Sequence, residues 1–326
     1  MRRSRVGARA EVRSAADPPT VLNHVGSGAA ERIVAGVPGT RVVAVPPDGA
    51  LPDDAKGDVL LTLPWGTPNL GEVVAQGVRW VHSLSTGIDS FPIDALPDDV
   101  TLTCSRGASA VPIAEFVLAA MLAFEKHLPD VWVREPPERW AMADLGGLEG
   151  RTLGLIGAGG IATEVARRGL AFGMRVCFVR RTDASPPLAA MERCTLQAVL
   201  AAADHLVVAA PSTPATRHLL GAEALAGVKP GVHVVNVSRG SLVDQAALVE
   251  ALGDGRVARA TLDVADPEPL PAGHPLYGHP RVRLSPHVSW SAPGALGRLV
   301  DKFVDNLRAY VAGEPLAGVV DRVAGY

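Results

Sequence analysis

A glycine-rich stretch near the middle of the chain, between two apolar segments, constrains the fold more than any other feature. Apolar residues lead up to Gly157, and small residues stand at Gly157, Gly159 and Ala162. In this G-x-G-x-x-G/A spacing, the first glycine allows a tight turn and the second lets backbone amides approach a pyrophosphate. The third small residue keeps the new helix close to its strand. A helix beginning here would offer unpaired N–H groups, including those of Gly160 and Ile161, to phosphate oxygens. The stretch therefore predicts a dinucleotide site.

The segments that follow decide between such a site and an ordinary strand-to-helix turn, since a chain with 34 glycines contains many turns. A helical segment over 163–172 stops at Gly173, and an apolar strand over 174–179 comes next. The glycine pattern requires this strand, helix and strand unit as its context. We therefore favour the dinucleotide site over the ordinary turn.

The residues after that second strand indicate which dinucleotide is bound. NAD-specific sites usually carry Asp or Glu there, where it bonds the ribose 2′-hydroxyl. This chain has Arg180, Arg181 and Thr182 instead. Two guanidiniums and a hydroxyl suit a 2′-phosphate, which a carboxylate would repel. The sequence thus favours NADP(H), with NAD(H) as the alternative if both arginines are only solvated charges at a strand end.

Composition sets broad limits on what the chain can be. Its 326 residues have room for two domains, and 48% hydrophobic with 20% charged residues is typical of a globular protein. The net charge of −3 gives no basic field for nucleic acid or for an anionic membrane, and no apolar run reaches a membrane span. The three cysteines have no metal-ligand spacing, and we interpret them as reduced core residues of a cytoplasmic protein without a metal site.

Residues 1–19 carry several arginines but no apolar core segment, which argues against a secretory signal. A flexible N-terminal tail is the favoured interpretation. A transit peptide is the alternative, against which Glu11 and Asp17 count.

Short apolar runs alternate with helical segments along the rest of the chain. Before residue 110, strands are predicted near Val21 and over 41–45, 58–63, 78–82 and 100–104, and a long helix over 111–124 leads into a second domain. Strands and helices that alternate in this way predict an α/β fold with parallel sheets.

Three polar residues each follow a predicted strand in the second half of the chain. Arg239 comes after a strand over 231–237, and Glu268 and His287 follow two later strands. The carboxyl ends of parallel strands meet at one edge of the sheet, where ligands bind. The ends of strands 205–210 and 231–237 would line the same cofactor cleft with Pro211, Thr213 and Val237.

Together the three residue types suffice for the reduction of a 2-oxo acid. Arg239 could clamp the substrate carboxylate and polarise its ketone. His287 could give a proton to the developing alkoxide as hydride arrives from a nicotinamide. Glu268, bonded to the other ring nitrogen, would fix the tautomer and favour the protonated imidazole. Each alone could be an ordinary capping, surface or loop residue, and their shared placement favours the functional interpretation.

Segments 154–162, 236–244, 262–270 and 285–291 resemble those of the D-isomer-specific 2-hydroxyacid dehydrogenases, and the similarity runs from about Thr20 onward. The resemblance implies two Rossmann-like domains with doubly wound parallel sheets. A dinucleotide-binding domain over 110–288 would be inserted into a flavodoxin-like substrate domain formed by 20–109 and 289–326. It also implies a homodimer and closure of the two domains over the ligands.

The resemblance further implies roles for individual residues. It makes Arg239, Glu268 and His287 the catalytic set, and it places Asp263 on the nicotinamide amide. It also lets the amides of Thr86 and Gly87 bind the substrate carboxylate, alongside Arg239.

Two departures from the common family pattern indicate which branch of the family the chain resembles. Ala162 stands at the third small position and Arg180 stands in place of an acid. In both respects the chain is similar to the NADPH-using glyoxylate and hydroxypyruvate reductases. Trp290, and with it Trp65, would narrow the substrate pocket. Because the sequence stops at Tyr326, we expect no regulatory domain like that of many phosphoglycerate dehydrogenases, which argues against a role in serine synthesis without excluding it.

The sequence therefore predicts a reductase that converts glyoxylate, hydroxypyruvate or a similar short 2-oxo acid to a D-2-hydroxy acid. One alternative is an NAD-dependent D-3-phosphoglycerate or other D-2-hydroxyacid dehydrogenase. Another is a non-catalytic protein that senses NAD(P)H, although such a protein would have no need of a proton donor.

Overall fold

A computed structural model describes residues 19–140 and 142–326, so the tail predicted over 1–19 lies outside the described residues except for Pro19. The chain divides into two compact units. The described part of the first comprises residues 19–108 with Leu296–Tyr326, and the second comprises Ser109–Ala295. The second unit extends past residue 288, where we expected it to end. Ser289 donates its N–H to Asp263, and Trp290 packs against the core of this unit.

The described part of the first unit contains a five-stranded parallel sheet in the order β2-β1-β3-β4-β5. Its strands are β1 Thr20–Asn23, β2 Arg41–Ala44, β3 Val59–Thr62, β4 Trp80–Ser83 and β5 Thr101–Cys104. Its helices are α1 Ser27–Gly36 and α2 Leu70–Val74, joined by the C-terminal helix described below. This strand order is that of flavodoxin-like folds, as the family resemblance implied.

The second unit is built on a seven-stranded parallel sheet in the order β12-β11-β10-β9-β6-β7-β8. Its strands are β6 Thr152–Ile156, β7 Arg175–Val179, β8 Met191–Arg193, β9 His205–Val208, β10 Val232–Asn236, β11 Val257–Leu262 and β12 Val282–Leu284. Its helices are α3 Ala110–Glu125, α4 Gly160–Ala171, α5 Leu196–Ala202, α6 Ala222–Ala226, α7 Gln245–Gly253 and α8 Pro275–Gly278. Counted from β6, this is the Rossmann order with one further strand, so the expected α/β fold with two parallel sheets is confirmed.

The last helix, α9 Ala295–Ala312, belongs to the first unit along most of its length. Its apolar residues recur at helical spacing, and Leu299, Phe303 and Leu307 are buried. Phe303 stacks on Trp80 of β4 with 5.3 Å between ring centroids. This apolar stripe is therefore the face by which the helix packs on the first sheet.

None of the helices in the described part of the chain combines the length and the apolarity that a membrane crossing requires.

Candidate active site

The turn between β6 and α4 has the backbone that its glycines predict. Gly157 has a φ of 110°, and a Cβ there would lie 2.6 Å from the carbonyl oxygen of Ala209. That contact lies between β6 and β9, where the strand order reverses and ligands bind in such sheets. A Cβ at Gly159 would meet no described atom within 4 Å, so its backbone faces open space at the start of α4. Ala162 is fully buried. The turn therefore fits the pyrophosphate of a dinucleotide.

The end of β7 holds the residues expected to choose between the two dinucleotides. The Nε–H of Arg180 donates to the hydroxyl of Thr182 over 3.0 Å, and its Nη1 lies 3.4 Å from the carbonyl oxygen of Ser185. Arg181 is exposed beside them. These contacts gather a guanidinium and a hydroxyl at one strand end.

The ends of β9 and β10 are joined by hydrogen bonds. The hydroxyl of Ser238 donates to the carbonyl oxygen of Ala210, and Val237 beside it is buried. Thr213 caps a short turn in which Thr216 donates its hydroxyl to Pro211 O over 2.8 Å. The structure thus brings Pro211, Thr213 and Val237 to the same edge of the sheet.

The loop after β10 presents Arg239. The amide of Asn236 donates to Arg239 O over 2.9 Å, and the Nη1 of Arg239 donates to Ser238 O over 2.8 Å. Next to it, a Cβ on Gly240 would lie 1.9 Å from the carbonyl carbon of Ala265. Only glycine can therefore pass so close to the segment that follows β11.

Glu268 and His287 are joined by a hydrogen bond. Glu268 Oε2 accepts from His287 Nδ1 over 2.8 Å, and the two side chains are 40% and 39% exposed. The other carboxylate oxygen, Oε1, accepts the backbone N–H of Ala265 over 3.0 Å. The carboxylate is thus oriented by its own loop and holds one nitrogen of the imidazole, so Nε2 is left for a proton transfer.

The segment that carries His287 is bonded to a buried carboxylate that the sequence assigned to the cofactor. Asp263, directly after β11, accepts the hydroxyl of Ser285 and the backbone N–H groups of Val288 and Ser289. A Ser two residues before the histidine was the one hint of the hydroxyl bond. The two backbone bonds left no sign in the sequence, because they depend on the conformation of the loop.

Trp290 is held by contacts within the second unit. Its indole Nε1–H donates to His287 O over 3.0 Å, and its ring packs partly buried against the core of the second unit. These contacts explain the side-chain position without a substrate. Its predicted place in the substrate pocket stays a prediction.

Thr86 and Gly87 lie in the first unit, in the partly exposed loop after β4. The loop begins where Leu84 N–H donates to Thr62 O over 2.9 Å, and Ser83 and Ser85 share a hydroxyl hydrogen bond of 2.9 Å. Trp65, after β3 in the same unit, is 65% exposed. Both loops follow the carboxyl ends of parallel strands, as the sequence predicted.

A Rossmann unit whose carboxyl edge carries an acid–base pair is typical of nicotinamide-dependent dehydrogenases. Residues 118–289 match the model of the "D-isomer specific 2-hydroxyacid dehydrogenase, NAD binding domain". The chain is 34% identical over 250 residues to a glyoxylate reductase of Korarchaeum cryptofilum, covering 74% of this chain and 75% of that protein. It is 32% identical over 249 residues to a D-3-phosphoglycerate dehydrogenase of Bacillus subtilis, covering 75% of this chain but only 47% of that longer protein.

Among solved structures, a D-isomer-specific 2-hydroxyacid dehydrogenase of Xanthobacter autotrophicus, crystallised with NADPH and MES, has the same fold with a TM-score of 0.82. The two chains are 30% identical, and the match covers 95% of this chain and 100% of the other. The chain therefore belongs to the D-isomer-specific 2-hydroxyacid dehydrogenase family, and it is an oxidoreductase that acts on CH–OH donors.

Proposed function

We propose that the protein reduces a short 2-oxo acid of the glyoxylate or hydroxypyruvate type to the D-2-hydroxy acid, using NADPH. The observation that carries the proposal is the 2.8 Å hydrogen bond between Glu268 and His287 at the carboxyl edge of the dinucleotide unit. The glyoxylate reductase relative supports the substrate class.

In this mechanism His287 is the proton donor. Its protonated ring carries N–H groups at both nitrogens, of which Nδ1–H donates to Glu268. Loss of the Nε2 proton to the alkoxide leaves the neutral Nδ1–H tautomer, which the same hydrogen bond stabilises. Bound NADPH supplies the hydride that makes this alkoxide.

Arg239 would bind the carboxylate of the substrate and polarise its ketone, because a guanidinium keeps its charge and donates two parallel hydrogen bonds. The close contact of Gly240 with Ala265 supports this role, since it fixes the Arg239 loop beside the segment that orients Glu268. The amides of Thr86 and Gly87 are the further donors that we assign to the substrate carboxylate.

The contacts of Arg180 support NADP(H) over NAD(H). A 2′-phosphate would meet a guanidinium already hydrogen-bonded to the Thr182 hydroxyl. The Xanthobacter structure contains NADPH, in agreement with this preference. Pro211, Thr213 and Val237 are the further residues that we assign to the cofactor.

D-3-phosphoglycerate dehydrogenase is the second candidate because of the Bacillus subtilis relative. Its substrate carries a phosphate, so it would need additional cations near the reacting carbon. The rate of reduction of 3-phosphohydroxypyruvate, compared with that of glyoxylate and hydroxypyruvate, distinguishes the two candidates.

We also propose that the enzyme is a cytoplasmic homodimer that binds no nucleic acid or membrane. The segment after α3 supports self-association, since Trp132 and Trp140 are 66% and 83% exposed and Met142 is fully exposed. The three free cysteines and the net charge of −3 support the compartment and the absence of polyanionic partners. Light scattering tests the dimer, and the mass of a single chain would contradict it.

The experiment that tests the function is the initial rate of reduction of glyoxylate, hydroxypyruvate and 3-phosphohydroxypyruvate, each with NADPH and with NADH. We expect the highest kcat/KM with NADPH and one of the first two acids, and we expect Arg180→Asp to shift the preference toward NADH. Equal rates with both cofactors, unchanged in the variant, would contradict the role of Arg180. Cofactor binding without turnover of any acid would instead identify a sensor.

A further inference from the structure

The carboxylate of Asp263 is buried, and its three hydrogen-bond donors come from one short segment. The side chain is 1% exposed. Oδ1 accepts the Ser285 hydroxyl over 2.6 Å and the Val288 N–H over 2.9 Å, while Oδ2 accepts the Ser289 N–H over 2.8 Å. These donors stand on both sides of His287 in the sequence, so the carboxylate closes the turn that carries the histidine.

The main chain of His287 is fixed on both sides as well. Its N–H donates to Asp263 O over 2.8 Å, and its carbonyl oxygen accepts from Trp290 Nε1 over 3.0 Å. Its φ of 55° lies in the left-handed region, which is unfavourable for a residue with a Cβ. Such a backbone persists only where neighbouring contacts enforce it.

We propose that Asp263 is a positioning residue, whose carboxylate holds the 285–289 turn so that the imidazole of His287 stays on Glu268. The proposal rests on the proposed function, in which His287 gives the proton. It differs from the sequence-based prediction that Asp263 serves the nicotinamide amide. A carboxylate offers about four acceptor sites, and three donors already occupy it, so at most one remains for a ligand.

The chemistry of the turn requires a carboxylate rather than an amide. In Asp263→Asn one of the two oxygens becomes an NH₂ group of nearly the same size. If the amide nitrogen replaces Oδ2, it faces the N–H of Ser289, and if it replaces Oδ1, it faces the N–H of Val288. In either orientation a backbone donor loses its acceptor, and the turn is weakened without a change of volume.

The test compares Asp263→Asn in the wild type and in a His287→Ala background, measuring kcat for hydroxypyruvate reduction and the Kd of NADPH by fluorescence. In the wild type we expect kcat to fall about 10- to 100-fold, since a displacement of about 1 Å costs a catalytic group on the order of 10² in rate. We expect the Kd of NADPH to stay within about twofold of the wild-type value, because a positioning role for Asp263 requires no contact with the cofactor. In the His287→Ala background the same change should have almost no further effect, because the residue acts through His287.

Three outcomes would overturn the proposal. A rise in the Kd of NADPH together with an undiminished effect in the His287→Ala background would assign Asp263 to the nicotinamide. A wild-type kcat in Asp263→Asn would remove any role in positioning. Normal turnover of His287→Ala alone would overturn the proton-donor assignment itself, a result that is read independently of Asp263.

Asp254→Asn is the matched control, since Asp254 is an exposed carboxylate just before β11 whose contacts are with Arg256, and its kcat should equal that of the wild type. If Asp263→Asn does not fold by circular dichroism, Ser285→Ala replaces it, because it removes one donor and leaves no buried N–H unpaired. We expect a smaller loss of kcat that again disappears in the His287→Ala background. A loss that persists there would contradict the proposal.

Discussion

His82 is a fully buried histidine whose neutral form satisfies every neighbouring hydrogen-bond donor. Trp80 donates to the hydroxyl of Thr103, which donates to His82 Nδ1, each over 2.7 Å. His82 Nε2–H donates to the hydroxyl of Ser105 over 2.9 Å, and that hydroxyl donates to Leu299 O over 2.8 Å. A second ring proton would face Thr103 Oγ1 and take away the acceptor of its hydroxyl. Burial accordingly lowers the pKa of His82 to about 3.

This pKa predicts how the stability of the first unit depends on pH. Below about pH 6.5 the unfolded chain binds a proton at His82 and the folded chain does not. The contribution of His82 to the free energy of unfolding is therefore fully present above that pH and is lost as the pH falls. Desolvation lowers the pKa of His24, in the same unit, to about 4, which acts in the same direction. One such histidine should lower the free energy of unfolding by about 2 kcal/mol between pH 7 and pH 5, at about 1.4 kcal/mol per pH unit.

The measurement is the free energy of unfolding in urea at both pH values. We expect a smaller loss on acidification in His82→Gln than in the wild type, whatever the stability of the variant at pH 7. His218→Gln, which removes an exposed histidine, should keep the wild-type pH dependence. The same pH dependence in His82→Gln as in the wild type would show that His82 is not the source.

Among secondary-structure elements, those with strong periodicity could be predicted from the sequence and short ones could not. The long apolar helix α3 and the amphipathic α9 lie where their patterns place them. The strand β8 has three residues, of which only Met191 is buried, so its pattern carried no signal. The helices α5 and α7 were missed although Thr195 and Asp244 cap their first turns through side-chain oxygens.

Long-range polar contacts could not be predicted from the sequence, for a different reason. His205 and His233, at the starts of β9 and β10, share a hydrogen bond of 3.2 Å, and His205 Nε2 bonds Glu125, which lies 80 residues earlier. All three side chains are buried. No local pattern relates residues so far apart, and only the sheet order brings them together.

In the loop after β10, the close packing of Gly240 predicts the effect of replacing this glycine by alanine. A methyl group there would overlap the backbone of Ala265, whose N–H orients Glu268. We expect Gly240→Ala to lose about 1–3 kcal/mol of stability through overpacking, and to lower kcat because Glu268 shifts. Gly253→Ala is the matched control, since its Cβ would meet no described atom within 4 Å at the end of α7. Equal kcat values for both variants would contradict the coupling between the two loops.

For the molecule as a whole, most of what could be predicted about the site came from the rule that ligands bind at the carboxyl ends of parallel strands. It placed Arg239, Glu268 and His287 at one edge of a parallel sheet, and the structure brings Glu268 and His287 into direct contact. The rule says nothing of loop conformation, so the turn closed by Asp263 and the bond from Trp290 to His287 were not foreseen. The catalytic roles themselves stay predictions until they are measured.

The role of His287 is tested by kcat for hydroxypyruvate reduction by NADPH in the wild type and in His287→Ala, with the Kd of NADPH measured in parallel. We predict a loss of about 10²- to 10⁴-fold in kcat, the usual contribution of general acid–base catalysis, with the cofactor bound as before. A variant that binds NADPH normally and turns over at the wild-type rate would contradict the central claim that His287 gives the proton.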